Sequence, residues 1–169
     1  MPQITKELLD KTSDDKLDGL ISSYTILKIY SINEKEKYLE IFGELPLGVQ
    51  TVYATNELEM EVHNGGFAQY FWNRSGLSYQ EAIDGYQRIG APEHAKIVEE
   101  AFDILGEELP IWGKHIKVGT LEAFAEYQKE SKLNFDLAQK FFRAEDKENT
   151  KDLRVEYIRA NSKEFITDK

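Results

Sequence analysis

Glu57-Leu58-Glu59-Met60-Glu61-Val62-His63-Asn64-Gly65-Gly66-Phe67-Ala68-Gln69-Tyr70-Phe71-Trp72-Asn73 is the stretch that decides the fold. Its first half ends a helix that begins at Leu47 and carries Thr51, Ala54, Leu58 and Val62 on one side. Asn64-Gly65-Gly66 stops that helix, because Asn and Gly tolerate the left-handed backbone of a helix C-terminus. Phe67 to Asn73 follows as a short aromatic turn or helix, closed by Ser75-Gly76. Phe67, Tyr70 and Phe71 are expected in the core. Gln69 and Asn73, one turn apart, are expected to bond to loop backbone. The two glycines also suit an anion cradle, but three glutamates precede them and no lysine follows. A structural turn is therefore the expectation.

Outward from this turn the spacing stays helical. Asp14–Tyr30 and Glu34–Phe42 precede it, the second ending at Gly43. Ser78, with Glu81 three residues on, predicts a capping box for a helix over Tyr79–Ile89 that Gly90 ends. Pro92 opens a helix to about Leu109, with Val98, Ala101, Phe102, Leu105 and Leu109 as its apolar stripe. Pro110 to Gly119 is expected to be a loop. Thr120 caps a helix through Glu130, another starts near Leu133, and Asn149-Thr150 opens the last. Period-two alternation is hard to find, and no repeat or low-complexity linker divides the chain. The expected fold is all-α, a single compact domain of about seven or eight helices over residues 1–169.

The composition narrows the function classes. The chain has 169 residues, 41% hydrophobic and 31% charged, enough to bury its own core. It has no cysteine, which excludes disulfides, thiolate catalysis and cysteine-ligated metal sites. No apolar run reaches the roughly 18 residues of a membrane span, and Met1 to Asp15 lacks the order of a signal peptide. The cytoplasm is the expected location. The net charge of −10 is unevenly placed: −3 over Met1–Asn56, −8 over Glu57–Glu108 and +1 over Leu109–Lys169. Such a block repels nucleic acid and attracts basic surfaces.

Candidate chemistry is sparse. Glu59 and His63 share a helix face at a spacing that can begin a metal site, but no second histidine lies near them. No metal or other cofactor is called for, no nucleophile constellation appears, and the expected class is not an enzyme. The Asn73-Arg74-Ser75 sequon is set aside for a cytoplasmic chain. The helix after Pro92 carries Glu93, Glu99, Glu100, Asp103, Glu107 and Glu108 on its polar face, offset only by Lys96. Glu100, Asp103 and Glu107 line up in a row, and like charges this close cost helix stability. Carboxylates spaced in this way can imitate the phosphates of a duplex and enter a basic groove. Glu93, Glu99, Glu100, Asp103 and Glu107, flanked by Glu81 and Asp84, are thus the expected partner-binding surface. The alternatives are a small-ligand protein or enzyme, with Glu61, His63, Asn64, Gln69 and Asn73 converging on a pocket, or an interaction or immunity-type protein whose acidity serves only solubility.

Glu61 to Gly76, with Ile89-Gly90-Ala91 about a dozen residues later, resembles the signature of an uncharacterised bacterial domain family that includes a nineteen-kilodalton DNA-mimic protein. Glu61, Asn64, Gly65, Gly66, Phe67, Gln69, Tyr70, Phe71, Asn73 and Gly76 carry that resemblance and read as fold-determining. It implies an all-helical protein, often a homodimer. It also implies binding to a transcription factor or other basic DNA-binding protein in place of DNA. Direct nucleic-acid binding is not expected, since no basic patch precedes Leu109, nor is a membrane partner, since no span is present.

Overall fold

The computed structural model describes residues 3–32 and 34–167, the side chains of Arg74 and Ser75 excepted. The sequon thus has only Asn73 with a described side chain. In chain order the helices are α1 (Lys6–Lys11), α2 (Asp14–Ile29), α3 (Lys35–Gly43), α4 (Leu47–Trp72), α5 (Tyr79–Ile89), α6 (Pro92–Ile116), α7 (Leu121–Glu130), α8 (Phe135–Glu145) and α9 (Thr150–Ala160). Two 3-10 turns, Arg74–Ser78 and Ser162–Phe165, complete the described residues, among which there is no strand. The chain is all-α, as its periodicity predicts. α1, one short helix capped by the Thr5 side chain, is an addition to the expected elements.

α4 is the central element. It packs on α2, α5 and α8 and buries Val49, Val52, Ala54, Leu58 and Val62 completely or nearly so. Its approach to α5 is close enough to require Gly85. A Cβ there would lie 2.8 Å from Thr55 Cγ2 and 3.1 Å from the Thr51 carbonyl oxygen. The first two helices, α4, α5 and the last turn join one continuous core running from Ile4 to Phe165. At its edge, Ile4 N–H donates to Thr167 Oγ1 at 2.8 Å, and Thr167 N–H donates to the Ile4 carbonyl at 3.0 Å.

Thr120 and Asn149 cap their helices as expected, and Asn134 caps α8, whose start the sequence places only near Leu133. Thr120 accepts from Ala123 N–H, Asn134 from Asp136 N–H, and Asn149 from Asp152 N–H. Gly90 ends α5 in the left-handed region at φ 87°. Two expectations fail. Ser78 makes no side-chain cap, because it ends a 3-10 turn at φ −99°, ψ 28° instead of holding the extended backbone an N-cap needs. Pro110 lies inside α6, not in a loop. Proline removes one hydrogen bond of the ladder, but packing on α7 carries α6 onward to Ile116. Leu109 is correspondingly not part of the buried stripe and is 53% exposed.

Candidate functional site

The Asn-Gly-Gly turn is a kink, with helix on both sides. Gly65 sits at φ −157°, ψ 19° and Gly66 at φ 75°, ψ −176°, the second a conformation that only glycine adopts readily. The kink turns Phe67, Tyr70 and Phe71 into the core, all 6% exposed or less, as expected. Phe67 meets Phe141 of α8 edge-on at 5.6 Å. Gln69 and Asn73 do not bond to loop backbone. Gln69 Nε2 donates to Glu61 Oε2 at 2.7 Å, and Asn73 Nδ2 donates to both oxygens of Glu61 at 2.9–3.0 Å. On a straight helix these residues would lie about 12 and 18 Å along the axis from Glu61. The kink brings them back to it, so the carboxylate clamps the two limbs. Gly76 belongs to the same construction: a Cβ there would sit 2.7 Å from the Tyr70 carbonyl oxygen.

Glu59 and His63 do not converge. The Glu59 carboxylate takes Arg154 Nη1 and Nη2 at 2.7 and 2.9 Å, while Asp18 Oδ2 takes Arg154 Nε at 2.8 Å. Arg154 is only 2% exposed. Burial works against its charge, but Glu59 and Asp18 outweigh burial and raise its pKa. His63 points elsewhere. Its Nδ1 donates to the Glu59 carbonyl at 2.8 Å, and its Nε2 lies 3.3 Å from Glu145 Oε1. No group of three potential ligands that could hold a metal occurs among the described residues. An open recess of ≈600 Å³ does touch Glu57, Met60, Glu61, His63, Asn64, Gln69 and Asn73. Glu61, Gln69 and Asn73 of the clamp are among its lining residues.

The acids of α6 fall into three groups. Glu93, Glu100 and Glu107, seven residues apart, each meet a lysine at or beside α8. The distances are 3.2 Å to Lys147, 2.6 Å to Lys140 and 3.1 Å to Lys132. Glu99 and Asp103 are exposed, with no ion pair among the described residues. Glu108, expected on the polar face, is instead buried at 4% exposure. It accepts from Tyr127 Oη at 3.3 Å, Ser131 Oγ at 2.6 Å and Lys132 N–H at 2.5 Å. Burial, with Glu108 beside it, pushes the Tyr127 hydroxyl up to about 12. On α5, Glu81 and Asp84 are half-buried, and Asp84 accepts from Gln80 Nε2 at 3.0 Å.

Sequence reasoning missed what holds the start of α6. Its N-cap residue, Ala91, has no side chain to offer. Glu148 supplies the cap instead. Its carboxylate accepts from the backbone N–H of Glu93 at 2.8 Å and of His94 at 3.0 Å, and meets His94 Nδ1 at 2.7 Å. Burial alone would raise the Glu148 pKa, but these hydrogen bonds outweigh it and lower the pKa below the usual 4.5. The available signal was Ala91-Pro92 itself, a helix start with no local acceptor.

A family model described as DMP19-like protein matches residues 43–161, well over half of the chain. No curated protein and no solved structure matches it. The matched span holds the kink, the Glu61 clamp and all of α6.

Proposed function

The chain belongs to the DMP19-like protein family, and from that premise we propose an acidic helical binding protein: a DNA mimic that occupies the DNA-binding surface of a transcription factor or another basic DNA-binding protein. The observation that carries this reading is the family match together with a net charge of −8 within the matched span, over Glu57–Glu108. The binding surface in this reading is Glu93, Glu99, Glu100, Asp103 and Glu107, flanked by Glu81 and Asp84. Glu99 and Asp103 make the first contacts, since no lysine of the described residues pairs with them. Glu93, Glu100 and Glu107 join by exchanging their own lysines for cations of the partner. That exchange is cheap, because exposed ion pairs are worth about 0–1 kcal/mol, and the three glutamate side chains are 44–68% exposed.

The protein acts as a homodimer in this reading, with the whole chain as one module. Leu109, Val118 and Leu121, 53–82% exposed near the α6–α7 junction, are apolar surface that a second copy would cover.

The test is a pull-down from host lysate at about 50 and about 300 mM salt, with and without competing duplex DNA. A basic DNA-binding protein is expected at low salt, displaced by DNA, and lost to a Glu99→Lys, Asp103→Lys variant that leaves the α6–α8 ion pairs in place. Undiminished capture by that variant would sink the assigned surface. Capture indifferent to both salt and DNA would remove the mimicry.

A further inference from the structure

A pocket of ≈380 Å³ lies where the kink of α4 meets the end of α7 and the start of α8. Its size falls within the usual range of ligand sites, about 300–1,000 Å³. The Asn-Gly-Gly turn builds one wall, since Asn64, Gly65 and Gly66 all line it. A Cβ on Gly66 would meet nothing within 4 Å, so this side of the kink is open. α8 builds another wall. Phe135, Ala138 and Phe142 line the pocket at i, i+3 and i+7, one face of the helix, with the small alanine between two rings. Phe142 packs on His63 at 4.8 Å between ring centroids. Phe135 is 71% exposed and has no ring partner among the described residues.

The polar groups around these rings are mostly neutral amides. No Asp, Glu, Lys or Arg lines the pocket, in a chain of which 31% is charged. Asn64 and Gln128 make no side-chain hydrogen bond among the described residues. Asn134 caps α8 through Oδ1, which leaves its Nδ2 without an acceptor there. His63 is engaged at both ring nitrogens, by the Glu59 carbonyl and by Glu145.

We propose that this pocket binds a nucleobase, carried on an uncharged nucleoside. A charged ligand finds no counter-charge in the lining, so phosphates, carboxylates and guanidinium groups are disfavoured. An aliphatic chain would leave the three amides facing it without partners. A nucleobase meets both halves of the lining. Its flat face stacks on an exposed aromatic ring, and its edges carry the donors and acceptors that Asn and Gln amides complement. The net charge of −10 sets a free nucleoside above a strand, whose phosphates it repels.

Titration of the isotope-labelled full chain, followed by its side-chain amide NMR signals, reads the site directly, because Asn64, Gln128 and Asn134 each carry one. The probes are adenosine, guanosine, cytidine and uridine, with ribose, the matching nucleoside monophosphate and a single-stranded oligonucleotide as comparisons. A saturable shift with a midpoint of roughly 0.1–1 mM is expected for at least one nucleoside. The monophosphate and the oligonucleotide should bind more weakly, and ribose should shift nothing. Phe135→Ala should weaken the midpoint about fivefold or more, the loss of one stacked base, while Phe135→Tyr keeps the ring and should stay within about twofold of wild type. Gln128→Ala should weaken it about twofold to tenfold, the loss of one neutral hydrogen bond. Phe135 and Gln128 are both exposed, so these variants leave the core intact. The proposal is overturned by no saturable shift with any of the four nucleosides, by an equal response to ribose, or by tighter binding of the monophosphate or the oligonucleotide. It is also overturned by unchanged midpoints in both Phe135→Ala and Gln128→Ala, or by a Phe135→Tyr loss as large as that of Phe135→Ala. Each of these outcomes is independent of the capture of a basic protein through Glu99 and Asp103.

Discussion

Glu148→Ala tests whether the acidic helix is held from a distance. The substitution removes the acceptor for two backbone N–H groups at the start of α6 and for the His94 ring. Loss of an N-cap costs about 0.5–2 kcal/mol. The His94 contact adds more, because the ring is fully buried and loses its Nδ1 partner, a loss of about 1–3 kcal/mol. The two share one carboxylate and do not add in full, so about 2–3 kcal/mol is expected. For a chain of this size that lowers Tm by roughly 5–10 °C. Glu148→Gln keeps one carbonyl acceptor and should lose less. The pH dependence separates cap from packing. The folded pKa of Glu148 lies below its ordinary value of 4.5. Its stabilisation is therefore present above about pH 4.5 and fades as pH falls through the folded value. Thermal melts of wild type and Glu148→Gln between pH 3 and 7 should converge at the acid end. A Glu148→Ala loss under about 0.5 kcal/mol, or a gap to wild type that does not narrow in acid, would refute the reasoning.

Gly66→Ala places a Cβ on backbone at φ 75°. A loss of about 1–3 kcal/mol in urea unfolding is expected, and a neutral result would mean the kink relaxes freely. Arg154→Met leaves Glu59 and Asp18, 12–14% exposed, facing each other without a cation. That should destabilise by about 3–5 kcal/mol, while a variant as stable as wild type would show that the two acids neutralise or rehydrate.

The fold was legible because its decisive signals are local. Asn64-Gly65-Gly66, Gly90, Pro92, Thr120 and Asn149 each act within a turn of where they stand. The failures have tertiary causes. Pro110 looked like a boundary because its ring disrupts an isolated helix, but α7 packs across that point. The local sequence points Gln69 and Asn73 to loop backbone, but in the fold both bond to Glu61, eight and twelve residues away, because the kink closes that distance. Glu59 and His63 have the spacing of a ligand pair. What separates them is Arg154, which approaches from α9 and has no mark in the local sequence.

The α6 acids show how the same limit bears on function. Read along the chain, Glu100, Asp103 and Glu107 form a row of like charges, with only Lys96 to offset the acids of this helix. In the fold Glu93, Glu100 and Glu107 face Lys147, Lys140 and Lys132, whose order in the chain runs antiparallel to theirs. These pairs neutralise the three glutamates at contact distance but leave the total of −10 unchanged. Attraction before contact, which reaches out to the Debye length of about 8–10 Å, follows the net charge, whichever lysine pairs with whichever glutamate. Discrimination at contact depends on the carboxylates a partner can reach without competing for them. Salt and mutation should therefore divide the effects: salt acts first on the association rate, through net charge, while Glu99 and Asp103 act on which protein stays bound. Acidity that served only solubility would give the first effect without the second.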